Sequence, residues 1–135
     1  MTLETTKQSL EKWHHMIQIG DMSSLNELLA DDVVFRSPVA YKPYEGKHVV
    51  FFILTNVIQV FQDFTYYREF YTEDGENVVL EFSANVSGKS LKGIDMIRFN
   101  EQGKIIDFEV MIRPMSGLAA LAEQMGARFA QYKSN

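Results

Sequence analysis

One run of the chain limits the fold more than any other. Between Val49 and Phe61 the apolar residues are interrupted by Thr55, Asn56 and Gln59 alone, and the stretch from Gly46 to Gln62 reads as a helix that is apolar around most of its circumference. Such a helix has to be covered on most sides. A membrane would cover it, but a span needs about 20 apolar residues and this run falls short, so no membrane association is expected. The cover has to come from the same chain. A chain of 135 residues hides about two-thirds of its unfolded surface on folding, which suits one domain over residues 1–135.

The flanking periodicities indicate what is available. Leu3, Leu10, Trp13 and Ile17 recur at helical spacing until Gly20-Asp21, predicting a first helix with Trp13 facing inward. Asp21 followed by Leu25, Leu28 and Leu29 predicts a second, short helix that stops at Asp31-Asp32. Val33, Phe35 and Ser37 alternate with Val34 and Arg36, a first strand that Pro38 ends. Residues 39–45, with Pro43, Tyr41 and Tyr44, read as a loop before the apolar helix. Beyond Phe64, turn signals at Glu73-Asp74-Gly75, Ser87-Gly88-Lys89 and Asn100-Glu101-Gln102-Gly103 separate four strands of an antiparallel meander. In one of them Leu80, Phe82, Ala84 and Val86 alternate with Glu81, Ser83, Asn85 and Ser87, giving a clear apolar face. Pro114 stands at a first helical position, and Leu118, Leu121, Ala122, Met125 and Phe129 form the stripe of a C-terminal helix over 114–132. The compact solution is α+β: a strongly bent, mostly antiparallel sheet wrapped around three helices, plus the C-terminal one.

Charge and composition exclude several functions. Lys and Arg total 13 against 18 Asp and Glu, a net charge of −5, which is the wrong sign for nucleic acid or anionic lipid. Without cysteine there are no disulfides, thiolate nucleophiles or thiolate metal ligands. Met1-Thr2-Leu3-Glu4 opens no basic and apolar secretory pattern, so a cytoplasmic location is expected. Gly88-Lys89-Ser90 lacks the glycine that a phosphate-binding loop requires, where Ser83 stands instead. Asn85-Val86-Ser87 fits a glycosylation acceptor that a cytoplasmic chain would not expose to the machinery. His14 and His15 lie about 100° apart around a helix axis, so they do not share a metal ion. No metal or cofactor is expected. His15 and His48 read as surface residues, whereas His14 borders the apolar stripe, within reach of an internal cavity.

One polar residue remains conspicuous. Alternation in Leu91-Lys92-Gly93-Ile94-Asp95-Met96-Ile97-Arg98-Phe99 places Asp95 on one face with Leu91, Gly93, Ile97 and Phe99. A carboxylate in such company costs several kcal/mol when unpaired, so its pKa rises or it finds a donor. Two readings stand, a core hydrogen bond and a functional acid.

Gly20-Asp21, Ala30-Asp31-Asp32, Ser37-Pro38, the helix start Glu45-Gly46-Lys47 and the run from Ile94 through Asp95-Met96-Ile97-Arg98-Phe99-Asn100-Glu101-Gln102-Gly103-Lys104 to Ile105 resemble the nuclear-transport-factor-two-like superfamily. Within it, the SnoaL-like polyketide cyclases and ketosteroid isomerases are most similar. The resemblance extends to Arg113, the final helix being an addition relative to the isomerases. It implies a cystatin-like cone with an apolar pocket at its open end, suited to a small hydrophobic, carbonyl-bearing molecule. Steroid isomerases use an ionised aspartate as base and a tyrosine with a protonated aspartate as oxyanion donors. Carried over, Asp95 falls on the protonated aspartate, Trp13 on the tyrosine and Ser37 on the base. Serine is no carboxylate base, but the Trp13 N–H is a donor that can share a carbonyl oxygen with Asp95. Related epoxide hydrolases carry Arg-x-Asp where this chain has Gly93-x-Asp95. SnoaL-like cyclases rely on one acid/base aspartate with a histidine nearby, for which His14 is the candidate.

Parity and resemblance together place Trp13, Ile17, Phe35, Ser37, Leu54, Leu80, Phe82, Asp95, Phe108, Val110 and Ile112 around the pocket, with Tyr41 and Tyr44 at its rim. Glu81, Ser83, Asn85, Asp107, Glu109 and Arg113 take the opposite sheet face, through which the resemblance implies a homodimer. The final helix either closes the mouth of the cone or lies across the partner. The function expected is binding of a small hydrophobic ligand, with Asp95 as acid/base or hydrogen-bond donor in a cyclase or isomerase. The alternative is a non-catalytic ligand-binding or dimerisation module that lost its base at Ser37.

Overall fold

A computed structural model describes residues 3–134, with side chains through Gln131. Helix α1 (Leu3–Ile19) and a single 3-10 turn at Leu25–Glu27 lead into β1 (Leu29–Arg36) and the two-residue β2 (Tyr44–Glu45). Helix α2 (Lys47–Val60) follows, then the meander β3 (Gln62–Tyr71), β4 (Asn77–Val86), β5 (Lys89–Phe99) and β6 (Ile105–Arg113), and finally α3 (Met115–Ser134). The strands form one curved, unclosed sheet in the order β2-β1-β6-β5-β4-β3. Pairing is antiparallel throughout except between β1 and β6. No helix of the described residues is long and apolar enough to cross a membrane.

The predicted second helix is absent as such. Its leucines form only the 3-10 turn, and Leu29 to Asp32 instead begin β1. The cause is long-range pairing: Leu29, fully buried, sits opposite Ile105 in the parallel ladder. Five steps along β1, from Leu29 to Val34, match two along β6, from Ile105 to Asp107, and the slack lets exposed Asp31 and Asp32 bulge outward. The first strand also stops at Arg36 rather than Ser37, and the expected loop ends in β2, where Tyr44 pairs with Phe35. Pro114 precedes the last helix, its carbonyl accepting from Leu118 N at 3.1 Å.

Helix α2 lies against the inner face of the sheet with Val50, Ile53 and Leu54 buried. Its polar residues are accounted for. Thr55 Oγ1 donates to the carbonyls of Phe51 and Phe52 at 2.9 and 3.0 Å, and Asn56 Nδ2 to Phe52 O at 2.8 Å. Asn56 Oδ1 and Gln59 Oε1 accept from Arg128 of α3, at 3.2 and 2.7 Å. The interruptions in the apolar run thus mark where α3 docks. The cover is partial all the same, since Val49 is exposed and Phe51, Phe52, Val57 and Ile58 are half-buried.

Helix α1 is fastened to two hairpin turns. Thr6 Oγ1 donates to Gly75 O at 2.5 Å and Ser9 Oγ to Gly103 O at 2.6 Å. Both glycines have positive φ, 75° and 76°. A Cβ on Gly75 would stand 2.8 Å from Leu3 Cα and Thr6 Oγ1, so this turn accepts only glycine on conformational and steric grounds. Gly75→Ala is expected to lower stability by about 1–2 kcal/mol from the left-handed backbone alone, with the overlap adding to it. Urea unfolding measures this, and an unchanged midpoint would show that the turn is not clamped to α1.

Candidate functional site: a buried acid in an aromatic cone

The inner face of β5 carries the site. Gly93, two residues before Asp95, lies where a Cβ would meet Met111 O at 2.4 Å and Phe82 Cζ at 2.8 Å, so β5 closes in on β6 as no other residue allows. Asp95 follows on the same face, 5% exposed. Its ladder neighbours are Leu80 on β4 and Val110 on β6, neither of which offers a hydrogen bond.

The partner comes from two strands away. Tyr66 of β3 reaches over β4, and its hydroxyl donates to Asp95 Oδ2 at 2.7 Å. Trp13 Nε1 of α1 donates in turn to Tyr66 Oη at 2.9 Å. Burial pushes the Asp95 carboxyl up to about 7, against the hydrogen bond from Tyr66, which lowers it. Burial also lifts the Tyr66 phenol well above its ordinary value, with Asp95 adding to the shift. Tyr66 therefore stays protonated near neutrality while Asp95 samples both states. Glu81 on the outer face of the neighbouring strand shows the contrast: hydrogen bonds from Arg68 at 2.7 and 2.9 Å, with Lys92 at 3.2 Å, hold it down to about 2.

Asp95 opens on a cavity of about 30 Å³. Its wall consists of Trp13, Phe35, Pro38, Leu54, Val57, Ile58, Phe61, Phe64, Tyr66, Phe108, Val110 and Leu121 together with Asp95. That space admits one or two waters, whereas pockets for drug-sized ligands measure about 300–1,000 Å³. Leu121 belongs to α3, and Phe129 further along that helix packs on Phe52 of α2 with ring centroids 5.7 Å apart. Helix α3 thus contributes Leu121 to the wall of this cavity.

Six residues singled out in the sequence line this cavity: Trp13, Phe35, Leu54, Asp95, Phe108 and Val110. The others lie elsewhere. Ile17, Leu80 and Phe82 pack in the core around it. Ser37, Tyr41 and Ile112 line an open groove of about 780 Å³ between residues 36–43 and β6, which shares Pro38 and Val110 with the cavity wall, and Ile112 also packs on the core cluster around Phe82 and Leu121. Ser37 Oγ accepts from Val39 N at 3.1 Å, and Tyr41 is fully exposed. The chain leaves the sheet after Arg36, so strand parity no longer applies to Ser37. His14 is off the wall; it pairs with Glu69, its ring edge-on to Tyr66 at 5.0 Å. The Trp13 N–H is engaged by Tyr66 and is not a second free donor beside Asp95. Leu121 comes from the apolar stripe expected on the final helix, whereas Pro38, Val57, Ile58, Phe61, Phe64 and Tyr66 join the wall without having been expected there, although Phe64 and Tyr66 share strand parity. No group of described residues has metal-ligand geometry.

Three helices on a curved, unclosed six-stranded mixed sheet make this an α+β fold of the cystatin-like, nuclear-transport-factor-two-like class. Residues 10–108 match the family model of the SnoaL-like domain, and the chain belongs to that family. It is similar to the crystal structure of a steroid delta-isomerase from Pseudomonas aeruginosa, at 54% identity and a TM-score of 0.94, covering 97% of this chain and 96% of that one. An uncharacterized protein with a cystatin-like fold from Silicibacter pomeroyi is 36% identical, with a TM-score of 0.81 and coverage of 93% and 92%. SalBIII, an epoxide hydrolase/cyclase-like enzyme of pyran ring formation in polyether salinomycin, shares the fold at 16% identity, with a TM-score of 0.64 and coverage of 84% and 94%. A search among curated proteins finds no match.

The Asp95 shift has a consequence for stability. The folded chain holds this proton up to about pH 7, against an ordinary value of 3.8. Stability from this group is complete below pH 4 and is lost as pH rises through 7, by on the order of 4 kcal/mol. Asp95→Asn, which does not ionise, is expected to melt above wild type at pH 8 and to lose that advantage at pH 4. Melting curves across pH check this; a wild type more stable than the variant at pH 8 would contradict it.

Proposed function

We propose that the cone binds a small, largely apolar molecule with one carbonyl oxygen and acts on it as an isomerase or cyclase, with Asp95 as its acid/base. The observation that carries this reading is a single carboxyl group, poised near neutrality, in a wall otherwise built of aromatic and aliphatic side chains. In its acid form Asp95 donates to the carbonyl oxygen and stabilises negative charge developing there. In its ionised form it accepts a proton from the ligand. Both forms are populated near pH 7, where acid/base catalysis is most effective. The similarity to a protein called a steroid delta-isomerase supports this class of chemistry.

The two-carboxylate steroid scheme has no support here, because Ser37 lies outside the cavity and Asp95 is the sole carboxylate in its wall. A second reading, binding without turnover, is favoured by that same loss. In either case the wall has to open, since 30 Å³ holds no such ligand. The outer face of β4, β5 and β6, where half-buried Ile94 and exposed Met96 and Met111 lie beside the Arg68–Glu81–Lys92 cluster, is the surface we assign to a homodimer.

The test is a thermal-shift screen of wild type and Asp95→Asn against steroids, aromatic polyketides, terpenoids and other flat carbonyl compounds, followed by turnover assays on the hits. Hits that stabilise wild type and weaken at least tenfold in Asp95→Asn, with turnover, are expected. Hits that bind both proteins equally and are not converted would select the non-catalytic reading.

A further inference from the structure

The hydrogen bonds at Asp95 run in a line, and counting donors along it decides where a proton sits. An indole N–H only donates, so Tyr66 Oη must accept from Trp13 at 2.9 Å. The phenol proton then needs an acceptor, and Asp95 Oδ2 lies 2.7 Å away. Were the acid proton on Oδ2, it and the indole would both point at Oη, and the phenol proton would be left buried without a partner, a costly state. Among the described residues nothing meets Oδ1, while Asp95 itself lines the cavity.

We infer that Trp13 and Tyr66 are positioning residues acting in series, fixing the acid proton of Asp95 on Oδ1 and leaving that one oxygen to meet a ligand. This rests on the reading of Asp95 as the ligand's anchor. It differs from a pair of donors acting side by side on a ligand, because neither Trp13 nor Tyr66 has a proton left to give. The site therefore presents one donor and selects a ligand with a single acceptor at its inner end. The series arrangement also means that Trp13 senses the charge on Asp95 chiefly through Tyr66.

That coupling is measurable because Trp13 is the sole tryptophan, so its indole N–H gives one resonance in a 15N-labelled sample. The groups facing the line are few. His14 on α1 and Glu69 on β3 lie beyond the Tyr66 ring, and from β4, β6, α2 and α3 the facing side chains are the apolar Leu80, Val110, Leu54 and Leu121. The ligand-free protein would be titrated from pH 5 to pH 9 as wild type, Asp95→Asn and Tyr66→Phe. In wild type the indole resonance is expected to shift in one step near pH 7, where burial places the carboxyl. Asp95→Asn should abolish the step, which separates Asp95 from His14, and Tyr66→Phe should remove at least half of it. A flat wild-type resonance, a step unchanged in Asp95→Asn or a step unchanged in Tyr66→Phe overturns the inference. Since no ligand is present, an empty thermal-shift screen with an intact indole titration would refute the proposed function and spare the series arrangement. The reverse result would do the opposite.

Discussion

Because α2 is apolar around most of its circumference, the sheet has to bend over it, and the bend creates an inner face on which any polar group is stranded. The bulged parallel pairing of β1 with β6 and the tight approach of Gly93 to β6 both serve that curvature. Even so, a single sheet covers only one side of α2. The side facing the open end is met by α3, anchored through Arg128 to Asn56 and Gln59 and through Phe129 to Phe52. The helix that most needs a cover thus also sets where α3 docks.

Curvature makes the two faces of one sheet electrostatically different. Glu81 and Asp95 occupy neighbouring strands, β4 and β5, yet one is held ionised by two cations while the other keeps its proton to near neutrality. Outside, side chains such as Arg68 reach in from solvent. Inside, the wall is aromatic and aliphatic, and among the described residues the Tyr66 phenol alone relieves the carboxyl. A group tuned in this way is suited to giving and taking a proton at physiological pH. Its cost in stability falls on the folded state as a whole.

Much of this was legible from period and parity. Leu91, Gly93, Asp95, Ile97 and Phe99 all face inward on β5 as alternation requires, since a half-buried strand obeys a period of two. The early start of β1 in place of the expected second helix was not legible, because Leu25, Leu28 and Leu29 have helical spacing and only the distant Ile105 draws Leu29 into a strand. Ser37 misled for a related reason: its parity is inward, but the ladder ends at Arg36 and Pro38 takes the place at the wall. Tyr66 shows the remaining limit. Its inward parity beside Phe64 was readable, but which acceptor it meets depends on how far the sheet curls to bring β3 over β5, and no local pattern encodes that.

Everything proposed for the site depends on Asp95 retaining its proton to near neutral pH inside the cone. The direct measurement is the carboxyl carbon of Asp95, followed by 13C NMR across pH in the ligand-free protein and assigned by its loss in Asp95→Asn. A midpoint near 7 is predicted. A midpoint near 4, that of an ordinary solvated aspartate, would mean that the carboxyl is paired or hydrated, and Asp95 would then be a structural residue rather than the acid of this site.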